Sequence, residues 1–294
     1  MFKLLSKLQK VTTKPDDVRL QGMSDKDKAY HLDATDAEIA NKIIIVGDPD
    51  RLDLMKPLFD SIEVSGGKRE MKFFTGIVFN NRVSVMSSGM GTDNIDILLN
   101  EIALLCKGRW NEIQILRLGT TGAVRPELVP GTKIISKYAL GLDGMINHYK
   151  DHRHSKTEDA FIDDFIHATK WPNNLARPYL TKATLEIPNI PGAIDGITMT
   201  TNGFYAPQIR HLHLKTTLDP EFFDNILDLE YDGFRINNFE MAMAGIFGLS
   251  ALFGFKCAGI CVVLANRSTH TSVLDSKEII NQLIETGIKA LTQP

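Results

Sequence analysis

Ile113-Gln114-Ile115-Leu116-Arg117-Leu118-Gly119-Thr120-Thr121-Gly122 opens as a largely apolar run and ends in a Gly/Thr turn. A short apolar run bounded by turn residues is the pattern of a buried strand. The pattern recurs. Ile43-Ile44-Ile45-Val46 runs into Gly47-Asp48-Pro49-Asp50-Arg51, and Val83–Met86 into Ser87-Ser88-Gly89-Met90-Gly91-Thr92-Asp93-Asn94. Ile197–Thr200 leads into Thr201-Asn202-Gly203-Phe204-Tyr205, and Ala258–Ala265 into Asn266-Arg267-Ser268-Thr269. After the second of these turns, Ile95, Leu98, Leu99, Ile102 and Leu105 mark one helical face, with Thr92 or Asp93 as the expected N-cap. Buried strands alternating with helices indicate an α/β layered fold, in which sites gather where strand ends meet loops.

Working outward, residues 147–195 are polar, rich in Asp and His, and read as an elaborated loop with a short helix. Residues 1–29 read as an N-terminal extension. Their apolar start is too short for a secretory signal, and Asp16 and Asp17 are unlike a transit peptide. Residues 30–294 then form one domain, a common use of this length in α/β folds. Hydrophobic residues at 43% and charged residues at 23% exclude a disordered or collagen-like chain. Lys and Arg total 33 against 36 Asp and Glu, so no basic excess exists to hold a nucleic-acid backbone. No apolar run approaches the roughly 18 residues of a membrane helix. Cys106, Cys257 and Cys261 are too few, and odd in number, for a disulfide framework. On a strand, Cys257 and Cys261 would share a face roughly 13 Å apart, beyond bridging reach. Reduced core thiols fit a cytoplasmic protein.

Several residues could carry chemistry. Gly89-Met90-Gly91 lacks the third glycine of a dinucleotide fingerprint, yet a Gly-x-Gly turn before a helix still offers N–H groups to an anion. Arg117, inside an apolar strand, is costly to bury without an anionic partner. That partner is either a structural carboxylate or a bound oxyanion gripped by the guanidinium fork, with Thr120 beside it. By composition alone, Arg69 is a surface charge and His31 an incidental histidine. His148 and His152 are four apart, as zinc-binding histidines on a helix can be, but with His154 they lie in a strongly polar run that reads as a solvated loop.

Taken in order, Val-Gly-Asp-Pro-Asp-Arg, Lys-Arg-Glu, Ser-Gly-Met-Gly, Arg-Leu-Gly-Thr-Thr-Gly, Phe-Tyr-x-x-Gln-x-Arg and Asn-Phe-Glu-Met converge on one family. The chain resembles the nucleoside phosphorylases of the trimeric and hexameric class, and within it the uridine phosphorylases, from about Tyr30 to Ala290. The resemblance implies a three-layer α/β fold with a central mixed β-sheet flanked by helices. It implies phosphorolysis of uridine, and of deoxyuridine or thymidine, to uracil or thymine and a pentose 1-phosphate. Inorganic phosphate is then the co-substrate and no organic cofactor is required. Gly47, Arg51, Arg117 and Thr120 would line the phosphate site, and Arg69 would serve the phosphate of a neighbouring subunit. A homodimer is the minimal active unit on that reading, with a hexamer as the larger assembly. Glu70 matches a ligand of a monovalent cation, K+, at the dimer interface, and His31 a histidine that reaches the ribose 5′-hydroxyl across it.

On the base side the resemblance places Thr121, Gly122, Phe204, Gln208, Arg210 and Arg267. Phe204 can stack on a ring, Gln208 offers both a donor and an acceptor to a pyrimidine edge, and Arg210 can stabilise charge on the departing base. Arg267 would assist on the O4 side. Purine-cleaving relatives carry an Asp after the last core strand, where this chain reads Asn266-Arg267. Glu240, Met241 and Thr121 fall to the ribose. The family reads Glu-Met-Glu where this chain has Glu240-Met241-Ala242, and an alanine cannot accept from the 2′- and 3′-hydroxyls. Losing a charged acceptor there costs about 1.5–3 kcal/mol, roughly 10- to 150-fold in binding. Preference for deoxy sugars, compensation by another residue and a weakened nucleoside-binding paralogue all fit that change. A purine nucleoside phosphorylase or nucleoside hydrolase of the same fold is the alternative activity.

Overall fold

Arg117 sits mid-strand because the strand that carries it is the innermost of a large mixed sheet. A computed structural model describes residues 28–293. The early elements are β1 (Lys42–Val46), α1 (Asp50–Met55), β2 (Ser61–Lys68), β3 (Met71–Val78), β4 (Asn81–Ser87), α2 (Thr92–Leu105), β5 (Gln114–Ala123) and β6 (Lys133–Gly141). They continue as α3 (Lys156–Thr169), β7 (Tyr179–Lys182), β8 (Ile194–Thr200), α4 (Phe222–Asn225), β9 (Glu230–Tyr231), β10 (Phe234–Glu240), α5 (Met243–Phe253), β11 (Lys256–Asn266), β12 (Thr271–Ser272) and α6 (Lys277–Thr292).

β5 runs parallel to β1 on one side and to β11 on the other, and its end pairs antiparallel with β10. The sheet closes on itself there, because β11 also pairs β6, β6 pairs β8, and β8 pairs β10. β4, β3 and β2 extend the sheet beyond β1. Register puts Arg117 between Ile45 and Gly259, Phe239 opposite Gly122, and Glu240 opposite Thr200. The C-terminal ends of β5, β8 and β10 therefore meet at one place, and this is what assembles the site.

Helices cover the sheet on both sides. α2 and α5 enclose a cluster with Ile43, Ile45, Ile115 and Cys261, while α1 and α6 enclose another with Ile44, Leu116 and Ile260. A third cluster joins α3 and α4 to β6, β8 and β10. Each fully buried Leu, Ile or Phe in these layers contributes about 1.5–3 kcal/mol. α5 is apolar all round, as a helix buried among other elements must be. It sits close to β11 only because Gly259 lacks a side chain: a Cβ there would come within 2.2 Å of Met243 Sδ.

The expected three-layer α/β architecture is the observed one, with two local corrections. α2 is capped at Gly91, φ 97°, rather than at Thr92 or Asp93, because the Gly-x-Gly turn needs backbone angles that favour glycine. Residues 147–195 hold more structure than a loop with a short helix. α3 spans 14 residues there, started by a capping box in which Ser155 Oγ accepts from Glu158 N–H and Glu158 accepts from Ser155 N–H. β7 follows it and pairs with β6. The extension up to residue 27 lies outside the described residues, and Ala29 is already fully buried.

Candidate active site

Gly47, directly after β1, leaves room for the Arg117 guanidinium. A Cβ at position 47 would stand 3.1 Å from Arg117 Nη2. Arg117 is 7% exposed and holds one long bond, 3.4 Å, from Nη1 to the Ile45 carbonyl. Arg51, on the short helix after the same turn, places Nη2 3.4 Å from Thr120 Oγ1. Both guanidinium groups are harder to keep charged than usual. Burial is the main cause for each; the Arg117 charge adds to it at Arg51, and Glu240 partly offsets it at Arg117. Two buried guanidinium groups close enough for one charge to weigh on the other, each with an unpartnered Nε, can together grip an oxyanion.

Glu240, at the end of β10, is the buried counter-charge. Its Oε1 accepts from Thr200 Oγ1 at 2.5 Å and Met243 N–H at 2.8 Å, and its Oε2 from Ala242 N–H at 2.8 Å. Burial pushes its pKa up, against the pull of Arg117 and these donors. At most one acceptor position is left for a ligand. Met241 is half-buried beside it and Ala242 is buried; the methyl of Ala242 accepts no hydrogen bond and the thioether of Met241 only a weak one.

A second group forms where β8 and β11 end. Gln208 is buried and gives one N–H to Thr201 Oγ1 at 3.1 Å, leaving the other N–H and the carbonyl oxygen for a ligand. Ile209 takes the left-handed conformation, φ 57°, and turns the chain so that Arg210 lies over the Phe204 ring, 4.0 Å from its centroid. Arg267 Nη2 donates to the main-chain carbonyl of Gln208 at 3.1 Å, and its Cγ lies 3.6 Å from where a Cβ would stand on Gly122. Burial, then Arg210, lowers Arg267 to about 10, so it stays charged at neutral pH. Of the five buried side-chain polar atoms without a partner among the described residues, four belong to Arg51, Arg117, Arg210 and Arg267. Polar atoms are left unsatisfied in a core only at a cost, so this concentration singles out the candidate site.

The family model of the phosphorylase superfamily matches residues 41–293. The chain belongs to the phosphorylase superfamily. Within it, a uridine phosphorylase of Thermococcus kodakarensis is 27% identical over 82% of this chain and 78% of its own. A DeoD-type purine nucleoside phosphorylase of Tolumonas auensis is 30% identical over 79% and 84%. A Trypanosoma brucei nucleoside phosphorylase, described as showing uridine phosphorylase activity, superposes with a TM-score of 0.81 at 26% identity, covering 92% of this chain and 99% of that one.

In this phosphorylase the residues expected from sequence fall into two sets. Gly47, Arg51, Arg117 and Thr120 come together, as do Gly122, Phe204, Gln208, Arg210 and Arg267, with Thr121 and Glu240 between the sets. Arg69 and His31 do not join them within one chain. Arg69 is exposed on the β2–β3 turn, and Glu70 packs its side chain against Gly89. His31 Nδ1 donates to Glu101 Oε1 at 2.6 Å, which leaves its Nε2 to face outward. The histidine run is the expected loop, with His148 exposed, but two of its histidines are less solvated than expected. His152 and His154 are half-buried with Nε2 atoms 3.0 Å apart, and His154 also accepts from Leu180 N–H. Among the described residues no cluster suited to a metal ion exists. Among the described residues no helix is long and apolar enough to cross a membrane. The three cysteines are free and buried, as expected. Thr200, Thr201 and Asn238 were not singled out from sequence; their roles come from pairing across strands that carries no local signature.

Proposed function

We propose that this phosphorylase cleaves pyrimidine nucleosides of the uridine type, giving the free base and a pentose 1-phosphate. The observation that carries the reading is the pairing of two arginine sets, each with buried guanidinium nitrogens left without a partner, one around Gly47 and Thr120, the other around Gln208. Phosphate held by Arg51, Arg117 and Thr120 is poised below the anomeric carbon. One phosphate oxygen forms the bond to C1′ as the C1′–N1 bond breaks, and that bond's electron pair moves onto the base. Arg210 and Arg267 stabilise the resulting anion until solvent protonates it, while Gln208 grips the pyrimidine edge. Catalysis is then mainly preorganised charge and proximity.

Asn266 supports a pyrimidine over a purine. Its Nδ2 donates to the Arg125 and Leu128 carbonyls, and its Oδ1 accepts from Ser268 and Thr269 N–H. All four of its hydrogen-bonding positions are used within the protein, so none remains to hold a purine ring nitrogen. Met241 packs on the sugar, with Glu240 behind it. Arg69 completes the phosphate site of a second subunit in a homodimer or a hexamer built from dimers. His31 reaches the partner's sugar 5′-hydroxyl, and Glu70 contributes to a K+ site at the interface. The setting is cytoplasmic pyrimidine salvage.

The test is release of free base from uridine, deoxyuridine, thymidine and inosine, with and without phosphate. Phosphate-dependent release from the pyrimidine nucleosides is expected. Phosphate-independent release would make the chain a hydrolase, and preference for inosine would remove the pyrimidine assignment. No release at all would leave a nucleoside-binding paralogue.

A further inference from the structure

Thr121 stands between the two arginine sets, and its hydroxyl ends a row of buried side chains that crosses four strands. Ser136 Oγ on β6 lies 2.6 Å from Thr198 Oγ1 on β8. Thr198 Oγ1 donates to Asn238 Oδ1 on β10 at 3.0 Å, and Asn238 Nδ2 donates to Thr121 Oγ1 on β5 at 2.8 Å. Thr121 Oγ1 in turn donates to the Phe239 carbonyl. Ser136, Thr198 and Asn238 are wholly inaccessible, and Thr121 is 7% exposed.

The row admits one arrangement of protons. A carbonyl only accepts, so the Thr121 proton points at Phe239. Thr121 must then accept from Asn238, which settles which end of the amide is nitrogen. The amide oxygen accepts from Thr198, whose proton is thereby used, and Ser136 donates to Thr198. All the donors face one way, and bonds in such a chain polarise one another. Thr121 keeps one lone pair and no proton for a ligand.

We propose that Asn238 is a positioning residue that holds Thr121 as a hydrogen-bond acceptor only, so that the site demands an N–H or O–H of the bound nucleoside at that point. The proposal rests on the nucleoside-cleaving reading above. A free threonine hydroxyl rotates to suit donor or acceptor; this one is fixed by three residues that touch no ligand. A nucleoside that presents an oxygen without a proton there faces the Thr121 lone pair and gains no bond.

Asn238→Asp tests it with almost no change of shape. An ionised carboxylate cannot donate, so the Thr121 proton turns toward residue 238, a Thr121 lone pair is left facing the Phe239 carbonyl oxygen, and that repulsion pushes the hydroxyl out of its place before the ligand. Once protonated, the same side chain donates to Thr121 and accepts from Thr198, and the row is restored. Burial raises a carboxyl pKa by up to about 3–5 units, which brings the switch into the neutral range. The ratio of variant to wild-type kcat/KM is therefore expected to be about tenfold low at pH 8 and to recover as pH falls toward 6. Dividing by the wild-type profile removes the titration of phosphate and of Glu240. A ratio flat across pH would overturn the proposal, with melting curves at both pH values confirming a folded variant.

Should Asn238→Asp not fold, Asn238→Ser in a Thr121→Val background decides: if Asn238 acts through Thr121, it lowers kcat/KM no further there, whereas multiplied losses overturn the proposal. If the wild type cleaves no nucleoside, the proposed function fails instead, and the same pH ratio is read from uracil affinity.

Discussion

Gly47 shows what a missing side chain does at the residue scale. Its φ is ordinary, so its value lies in the 3.1 Å that separates the absent Cβ from Arg117 Nη2. Gly47→Ala should push the guanidinium aside by a few tenths of an ångström without disturbing the core behind it. The expected result is a rise of about tenfold in KM for phosphate with the nucleoside KM and the melting temperature nearly unchanged. Steady-state kinetics with each substrate varied in turn checks this, and an equal rise in both KM values would place the glycine's role elsewhere. Arg117 and Gly47 were legible in the sequence for different reasons. A charge inside Ile-Leu-Arg-Leu conflicts with burial and so announces itself, whereas Gly47 gained meaning only from the motif around it. Asn238 opens the Asn-Phe-Glu-Met motif, yet its role is not legible there, because a polar residue in a strand acquires its partners from β5 and β8, far away in the chain.

At the scale of elements, the strands were readable because each joins an apolar run to a turn, and α2 because its buried positions repeat at helical spacing. The sequence predicts only a short helix within an elaborated loop where α3 stands, because the surface of α3 is polar and its apolar residues are few. Its start was nevertheless written in the chain: Ser155, then Glu158 three residues on, is the spacing of a capping box, followed by the buried Phe161, Ile162 and Phe165. Composition misled where the local pattern was sound. Ser155→Ala removes the oxygen that accepts from Glu158 N–H and should destabilise the protein by about 1 kcal/mol. In thermal unfolding that is a loss of about 2–4 °C. Base release should be unchanged, since α3 packs against β7 and β9 and carries none of the ligand arginines. A loss of turnover at constant stability would mean that α3 orders the site as well as the fold.

For the whole molecule, the proposed function gives Arg69 a role only in the phosphate site of a second copy of the chain. It is exposed at φ 53° on the β2–β3 turn, whereas on its own chain Arg51 lies against Thr120 and Arg117 against Gly47. A subunit that lends Arg69 and borrows its partner's has a separable defect at each end. Arg117→Ala removes a cation from its own site and should lower turnover by about 100- to 1000-fold, and Arg69→Ala should disable the site of its neighbour. Each variant alone is then nearly inactive. Refolded together in equal amounts, half of two-fold dimers are mixed, and each mixed dimer has one complete site: Arg117 from the Arg69→Ala chain and Arg69 from the other. About a quarter of the wild-type activity should return. The measurement is phosphate-dependent base release before and after mixed refolding, with the fraction of mixed dimers counted by differently tagged chains. Return of activity requires that a site draw on two chains. No return, with mixed dimers present, would confine the phosphate site to one chain and leave Arg69 as a surface charge.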